Sequence, residues 1–132
     1  MAISIFDLDA DESKGSQLKE AKEIAGKKSI SIVSSNPCFE IWYLEHFGYT
    51  SKQFSSSAEL IRELKKHIPE YSKNKSSFEI LYPLTSAAVS NCMKLDEHHM
   101  QSDPGGLSEF SNPRTDVYKL VEIIFKEGRD GL

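Results

Sequence analysis

With 132 residues and no low-complexity tract, the chain reads as one domain, 1–132, large enough for a single hydrophobic core. A formal net charge of −4 excludes a broadly basic surface, so a nucleic-acid partner would have to meet local lysines and arginines, or a cation set between carboxylates and phosphate. The amino terminus has no basic leader, and no apolar run approaches the roughly 20 residues of a membrane span; the expectation is a cytoplasmic protein without membrane attachment.

Ile3-Ser4-Ile5-Phe6 alternates and runs into Asp7-Leu8-Asp9-Ala10-Asp11, a short strand ending in an acidic loop. Strand periodicity puts Asp7 and Asp9 on one face, where two hard carboxylates at the end of a strand suit Mg²⁺ or Mn²⁺. The alternative is an ordinary strand exit whose aspartates cap the next helix. Ser16 to Ala25 has helical spacing with Gly26 placed to stop it, and Ser29 to Val33 is a second strand. Strand, helix and strand within some thirty residues make a βαβ unit with a parallel sheet. Asn36-Pro37 then reads as the N-cap and first position of a helix.

Ser55 to Ser57 cap a second helix, Ala58 to Ile68, with its apolar stripe on Leu60, Ile61, Leu64 and Ile68. Pro69 to Ser77 is a polar loop carrying Tyr71, Lys73 and Lys75. Helical character resumes from Phe78 to about Leu95 with a break near Pro83, and ends in Asp96-Glu97-His98-His99. Adjacent histidines lie about 100° apart on a helix, poorly placed to share a metal, and read as a solvated helix end. Gln101 to Ser111 is a turn-rich loop, and Asn112-Pro113 repeats the cap arrangement before a last helix through Val117, Leu120, Val121, Ile124 and Phe125. Cys38 and Cys92, without C-x-x-C spacing and in stretches that read as helical, are expected to be reduced, packed thiols. The sum is a helix-rich α/β chain with two strands.

Ser35-Asn36-Pro37-Cys38-Phe39-Glu40-Ile41-Trp42, followed by His46-Phe47, is more specific than the aspartates. It resembles the S-N-P-x-F-E-x-W…H-F signature of RloB-like proteins, a family with a TOPRIM-type fold associated with bacterial defence loci. The Asp7/Asp9 strand, the Tyr71-x-Lys73 loop and Asn112-Pro113-Arg114-Thr115 fall in the order that family shows.

The resemblance implies a partial TOPRIM-like parallel sheet flanked by helices, with a helix-rich carboxyl-terminal half. It further implies a Mg²⁺-dependent nuclease acting on DNA or RNA in antiphage or abortive-infection defence, beside an ATPase partner. Asp7 and Asp9 match the D-x-D of TOPRIM domains, and Asp11 is a third candidate ligand. By similarity to the related OLD-type nucleases, Glu40 is a metal-side carboxylate, or else a capping carboxylate at its helix start. Lys73 is the cation that stabilises the transition state, or a surface lysine. Trp42 and His46, four residues apart on one helical face, are read as packing.

The D-x-D strand begins directly after Met1, so the family's upstream strand and glutamate are expected to be missing. That leaves an exposed strand edge open to a partner or a second copy. A catalytically inactive subunit that binds nucleic acid or a partner protein is the competing function. A phosphatase of the haloacid-dehalogenase kind fits poorly, because it needs Thr or Val where Asp11 stands and a later acidic pair after a strand.

Overall fold

The computed structural model describes residues 2–130, and the side chains of 2–126. β1 (Ala2–Asp7) and β2 (Ile30–Asn36) pair in parallel from Ala2 opposite Ile30 to Asp7 opposite Ser35. α1 (Gly15–Lys27) makes the crossover between them, resting on β2 through its two buried residues, Leu18 and Ala25. Gly26 does not stop the helix. A single glycine costs about 1 kcal/mol in a helix and is tolerated; the chain reverses at Ser29, whose φ is 56°.

β2 runs three residues past the expected end because Ser34, Ser35 and Asn36 are buried and find partners across the sheet. A third strand, which the sequence did not disclose, pairs there. β3 (Arg114–Thr115) is antiparallel to β2, with Ser35 opposite Thr115 and the two hydroxyls 2.7 Å apart. The sheet order is β1-β2-β3, leaving β1 at one edge.

Neither Asn-Pro pair opens a helix as expected. Both bonds are cis, and each asparagine fastens a distant loop instead. Asn36 accepts from the Ala10 N–H at 2.9 Å and donates to the Phe110 carbonyl at 3.0 Å. Asn112 accepts from the Phe54 N–H at 3.1 Å and donates to the Phe54 carbonyl at 2.7 Å. A side-chain amide offers a donor and an acceptor together, so it can satisfy loop backbone that no ladder reaches. The helices start later: α2 is Glu40–Leu44, followed by a 3₁₀ turn, Glu45–Phe47, and α6 is Val117–Asp130.

α3 (Ser57–Leu64) is shorter than expected but capped as predicted, the Ser56 hydroxyl accepting from the Glu59 N–H at 3.1 Å. Pro83 divides the next helical stretch into α4 (Phe78–Leu81), a 3₁₀ turn at Tyr82–Leu84, and α5 (Thr85–Ser102). Leu44, Phe54, Leu60 and Leu64 form one buried cluster with Ile41 and Tyr71. Val33, Trp42, Ala88, Val117 and Tyr118 form a second beneath the sheet. Both cysteines are free and buried; Cys92 lies in α5, whereas Cys38 precedes α2.

His99 does not lie at a solvated helix end. It is 3% exposed, its Nε2 donating to the Pro113 carbonyl at 2.7 Å and its Nδ1 meeting the Asp103 carboxylate at 3.1 Å. It ties α5 to the segment leading into β3. No helix among the described residues is long and apolar enough to cross a membrane.

Candidate active site

The parallel pairing of β1 and β2 brings their carboxyl ends side by side, and the loops that follow are stitched together. The Leu8 N–H donates to the Ser35 carbonyl at 3.0 Å and the Asp9 N–H to the Pro37 carbonyl at 2.7 Å. Asp7, the last residue of β1, accepts from the Phe39 N–H at 3.0 Å, which sets its carboxylate beside Glu40, the first residue of α2. Glu40 is 3% exposed. One of its oxygens, Oε2, receives the Tyr71 hydroxyl at 2.5 Å and lies 3.4 Å from the Lys73 ammonium. The other, Oε1, is buried with no hydrogen-bond partner among the described residues.

The two carboxyls are pushed apart in acidity. Burial raises Asp7 above the usual carboxylate range, and the neighbouring charge of Glu40 adds to it against the Phe39 N–H. Burial acts on Glu40 in the same sense, but the Tyr71 hydroxyl, the Cys38 thiol and Lys73 outweigh it and hold the carboxyl below its ordinary value. Burial and the Glu40 charge push the Cys38 thiol up to about 12, so it remains a thiol. Lys73 loses some affinity for its proton to burial and regains more from Glu40.

Strand periodicity fails for the second aspartate. β1 ends at Asp7, and Asp9 and Ala10 both take left-handed conformations, with φ 54° and 58°. The Asp9 carboxylate therefore turns to Lys14, with which it forms an ion pair, and to the Ser57 hydroxyl at 2.9 Å. Asp11 is exposed and caps the 3₁₀ turn Glu12–Lys14 by accepting from the Ser13 N–H at 3.0 Å. Of the four expected ligands, Asp7 lies near enough to Glu40 to feel its charge, Asp9 is engaged by Lys14 and Ser57, and Asp11 serves the chain's own backbone. Among the described residues no three His, Cys, Asp or Glu side chains gather as a group that could hold a metal ion.

A Mg²⁺ ion keeps several waters and often takes only one or two protein carboxylates, with substrate phosphate completing its shell. The Asp7–Glu40 pair fits that smaller requirement: both donors are hard oxygens, and Glu40 Oε1 is a buried acceptor that lacks a donor. Asp96 Oδ1 is the other unpartnered buried carboxylate oxygen among the described residues, with Tyr118 donating to its second oxygen at 2.5 Å. Only Glu40 lies where two strand ends converge.

Tyr71, Lys14 and Ser57 were not foreseen as parts of the site. Tyr71 had a signal in its spacing from Lys73, but nothing local shows that it reaches a carboxylate 31 residues earlier. Its ring belongs to the first buried cluster and meets Tyr43 edge-on at 6.0 Å, so the hydroxyl is held in place. Tyr71→Phe is expected to leave Glu40 without its strongest donor, destabilising the fold by about 1–3 kcal/mol and shifting the Glu40 carboxyl upward. Urea unfolding, together with a carboxylate titration followed by NMR, checks both effects.

A family model described as RloB-like protein matches residues 1–124. The chain belongs to the RloB-like family. No curated protein and no solved structure matches it.

In this RloB-like chain the S-N-P-x-F-E-x-W segment is buried almost throughout, and its residues divide the work. Asn36 joins loops, Glu40 enters the site, and Trp42 packs. The Trp42 and His46 rings meet edge-on at 4.7 Å, while His46 Nδ1 donates to the Trp42 carbonyl at 2.8 Å and Nε2 faces the Thr85 hydroxyl at 3.2 Å. Burial lowers the His46 pKa, which keeps the imidazole neutral and suits the packing role. Downstream, Arg114 is 4% exposed, pairs with Asp116 and donates to the Ser34 hydroxyl at 3.2 Å, anchoring β3 on β2.

Proposed function

We propose that this RloB-like chain is a divalent-metal-dependent phosphodiesterase domain of the nuclease type, used in bacterial antiphage defence. The observation that carries the reading is the buried, unpartnered Oε1 of Glu40 beside Asp7 at the converging strand ends, with the Lys73 ammonium next to it. Asp7 and Glu40 would hold Mg²⁺ or Mn²⁺, which when bound polarises a phosphoryl oxygen and activates water. Tyr71 keeps Glu40 ionised and aimed. Lys73, with 64% of its side chain exposed, is free to turn its charge toward a phosphate at the mouth of the site. The Lys14 pairing holds Asp9 at the rim of the site.

The second reading is a non-catalytic subunit that binds nucleic acid or a partner protein. It is favoured by the engagement of Asp9 with Lys14 and Ser57, which leaves a two-carboxylate site. Titration calorimetry with Mn²⁺, run beside cleavage of labelled single- and double-stranded DNA and RNA, separates the two. Metal binding and cleavage that both disappear in Glu40→Gln support the nuclease reading. Metal binding without cleavage supports the subunit, and the absence of Mn²⁺ binding would overturn the site itself.

A further inference from the structure

We infer that Phe78 and Tyr82 form a stacking platform for the bases of single-stranded nucleic acid, feeding its backbone past Lys75 and Lys73 toward Glu40. The inference rests on the phosphodiester reading of that site and names its substrate class.

Phe78 and Tyr82 stand four residues apart on α4 and the 3₁₀ turn after it, their ring centroids 5.1 Å apart and planes 32° from parallel. They are 65% and 62% exposed. Two large rings set side by side in water make an apolar face with an unused π surface, the form of side chain on which bases stack without sequence preference. The pair rims a hollow of about 370 Å³ whose inner wall includes Trp42, Tyr43 and His46. Ser76, Ser77 and Thr85 also line it with polar groups, and Val121, Ile124 and Phe125 with apolar ones.

The hollow neighbours the candidate active site across two packed rings. Tyr43, on its wall, meets the Tyr71 ring at 6.0 Å, and the Tyr71 hydroxyl holds Glu40. The connecting segment between Tyr71 and Phe78 is Ser-Lys-Asn-Lys-Ser-Ser, with two exposed lysines and no acid, in a chain of net charge −4. That local sign suits a phosphodiester backbone better than an apolar protein surface. In a duplex the base faces are already covered by their neighbours, so the platform selects single strands.

The test is fluorescence anisotropy with a labelled single-stranded 12-mer of DNA or RNA and the matching duplexes, in EDTA so that nothing is cut. Mn²⁺ calorimetry on the same proteins reads the metal site separately. Wild type is expected to prefer the single strand, and the double variant Phe78→Ala/Tyr82→Ala to bind it about tenfold or more weaker with Mn²⁺ affinity unchanged. Phe78→Leu/Tyr82→Leu, which keeps apolar bulk and removes the π faces, is expected to show the same loss; both pairs are exposed, and circular dichroism confirms their folding. Equal affinity in variants and wild type overturns the inference, as does a preference for duplex or no oligonucleotide binding by a wild type that binds Mn²⁺. Sedimentation showing a wild-type dimer that the alanine pair dissociates, with no change in oligonucleotide affinity, assigns the rings to a second copy and overturns it too. If Mn²⁺ fails to bind while the single strand is held by the rings, the metal reading falls and the platform stands.

Discussion

Asp7→Asn is expected to make the protein more stable and, in the same molecule, to weaken divalent-metal binding by on the order of a hundredfold, since even changes behind the direct ligands of a metal cost 10–100-fold. The carboxylate of Asp7 sits partly buried against Glu40, and both burial and that neighbour raise its pKa, so its charge is a cost to the folded state. Asparagine keeps an acceptor for the Phe39 N–H, 3.0 Å away, and removes the charge. A rise of a few degrees in melting temperature is the expected sign, as when a strained functional group is exchanged for a neutral one of the same shape. Thermal melts and Mn²⁺ calorimetry on one preparation check it. A variant that melts lower and still binds the metal would show that Asp7 is a structural hydrogen-bond acceptor and nothing more.

Which parts of the chain were legible from sequence depended on how far apart the deciding residues lie. Local order was readable. The capped amphipathic helix after Ser56, the strand-helix-strand unit and the break at Pro83 depend on residues within a few positions of one another, so their patterns determine them. The features that failed were long-range. Asn36 looks like an N-cap until Phe110 is known to lie beside it, and Asn112 until Phe54 does. β3 is two residues long, too short for any alternation, and exists because Ser35 and Asn36 have unpaired backbone to offer.

Within the site the same division holds. The sequence resemblance named Asp7, Glu40 and Lys73, and the structure places them together. The error at Asp9 arose from extending strand geometry two residues too far, past a turn that takes left-handed backbone at a non-glycine pair. Such a turn is paid for by the surrounding bonds, here the Asp9 N–H to Pro37 and the Ala10 N–H to Asn36, and none of these can be seen in D-x-D-x-D. Tyr71 shows the reverse case: it reads as part of a polar loop, yet its ring is core and its hydroxyl reaches Glu40.

Stability is expected to fall as pH rises from about 6.5 to 8, and Glu45→Gln to abolish most of that fall. Glu45 is fully buried, and among the described residues its hydrogen-bond donor is the Thr50 N–H, 3.3 Å from each oxygen. Burial pushes its pKa up to about 8, against a partial opposing effect from Thr50. Below the unfolded value of 4.5, both states hold the proton and Glu45 imposes no charge cost. Between 4.5 and about 8 the unfolded chain gives up its proton while the fold keeps it, so the Glu45 contribution alone declines by up to about 1.4 kcal/mol per pH unit, a few kcal/mol in all. The adjacent His46 works the other way: its pKa is lowered, so it costs stability as pH falls below about 6.5, where the unfolded imidazole charges and the buried one does not. The wild-type profile should therefore be highest on the mildly acidic side, bounded by His46 below and Glu45 above. Urea midpoints measured at half-unit steps from pH 5 to 9 on both proteins decide it, because parallel declines in wild type and Glu45→Gln would show that Glu45 is already ionised in the fold.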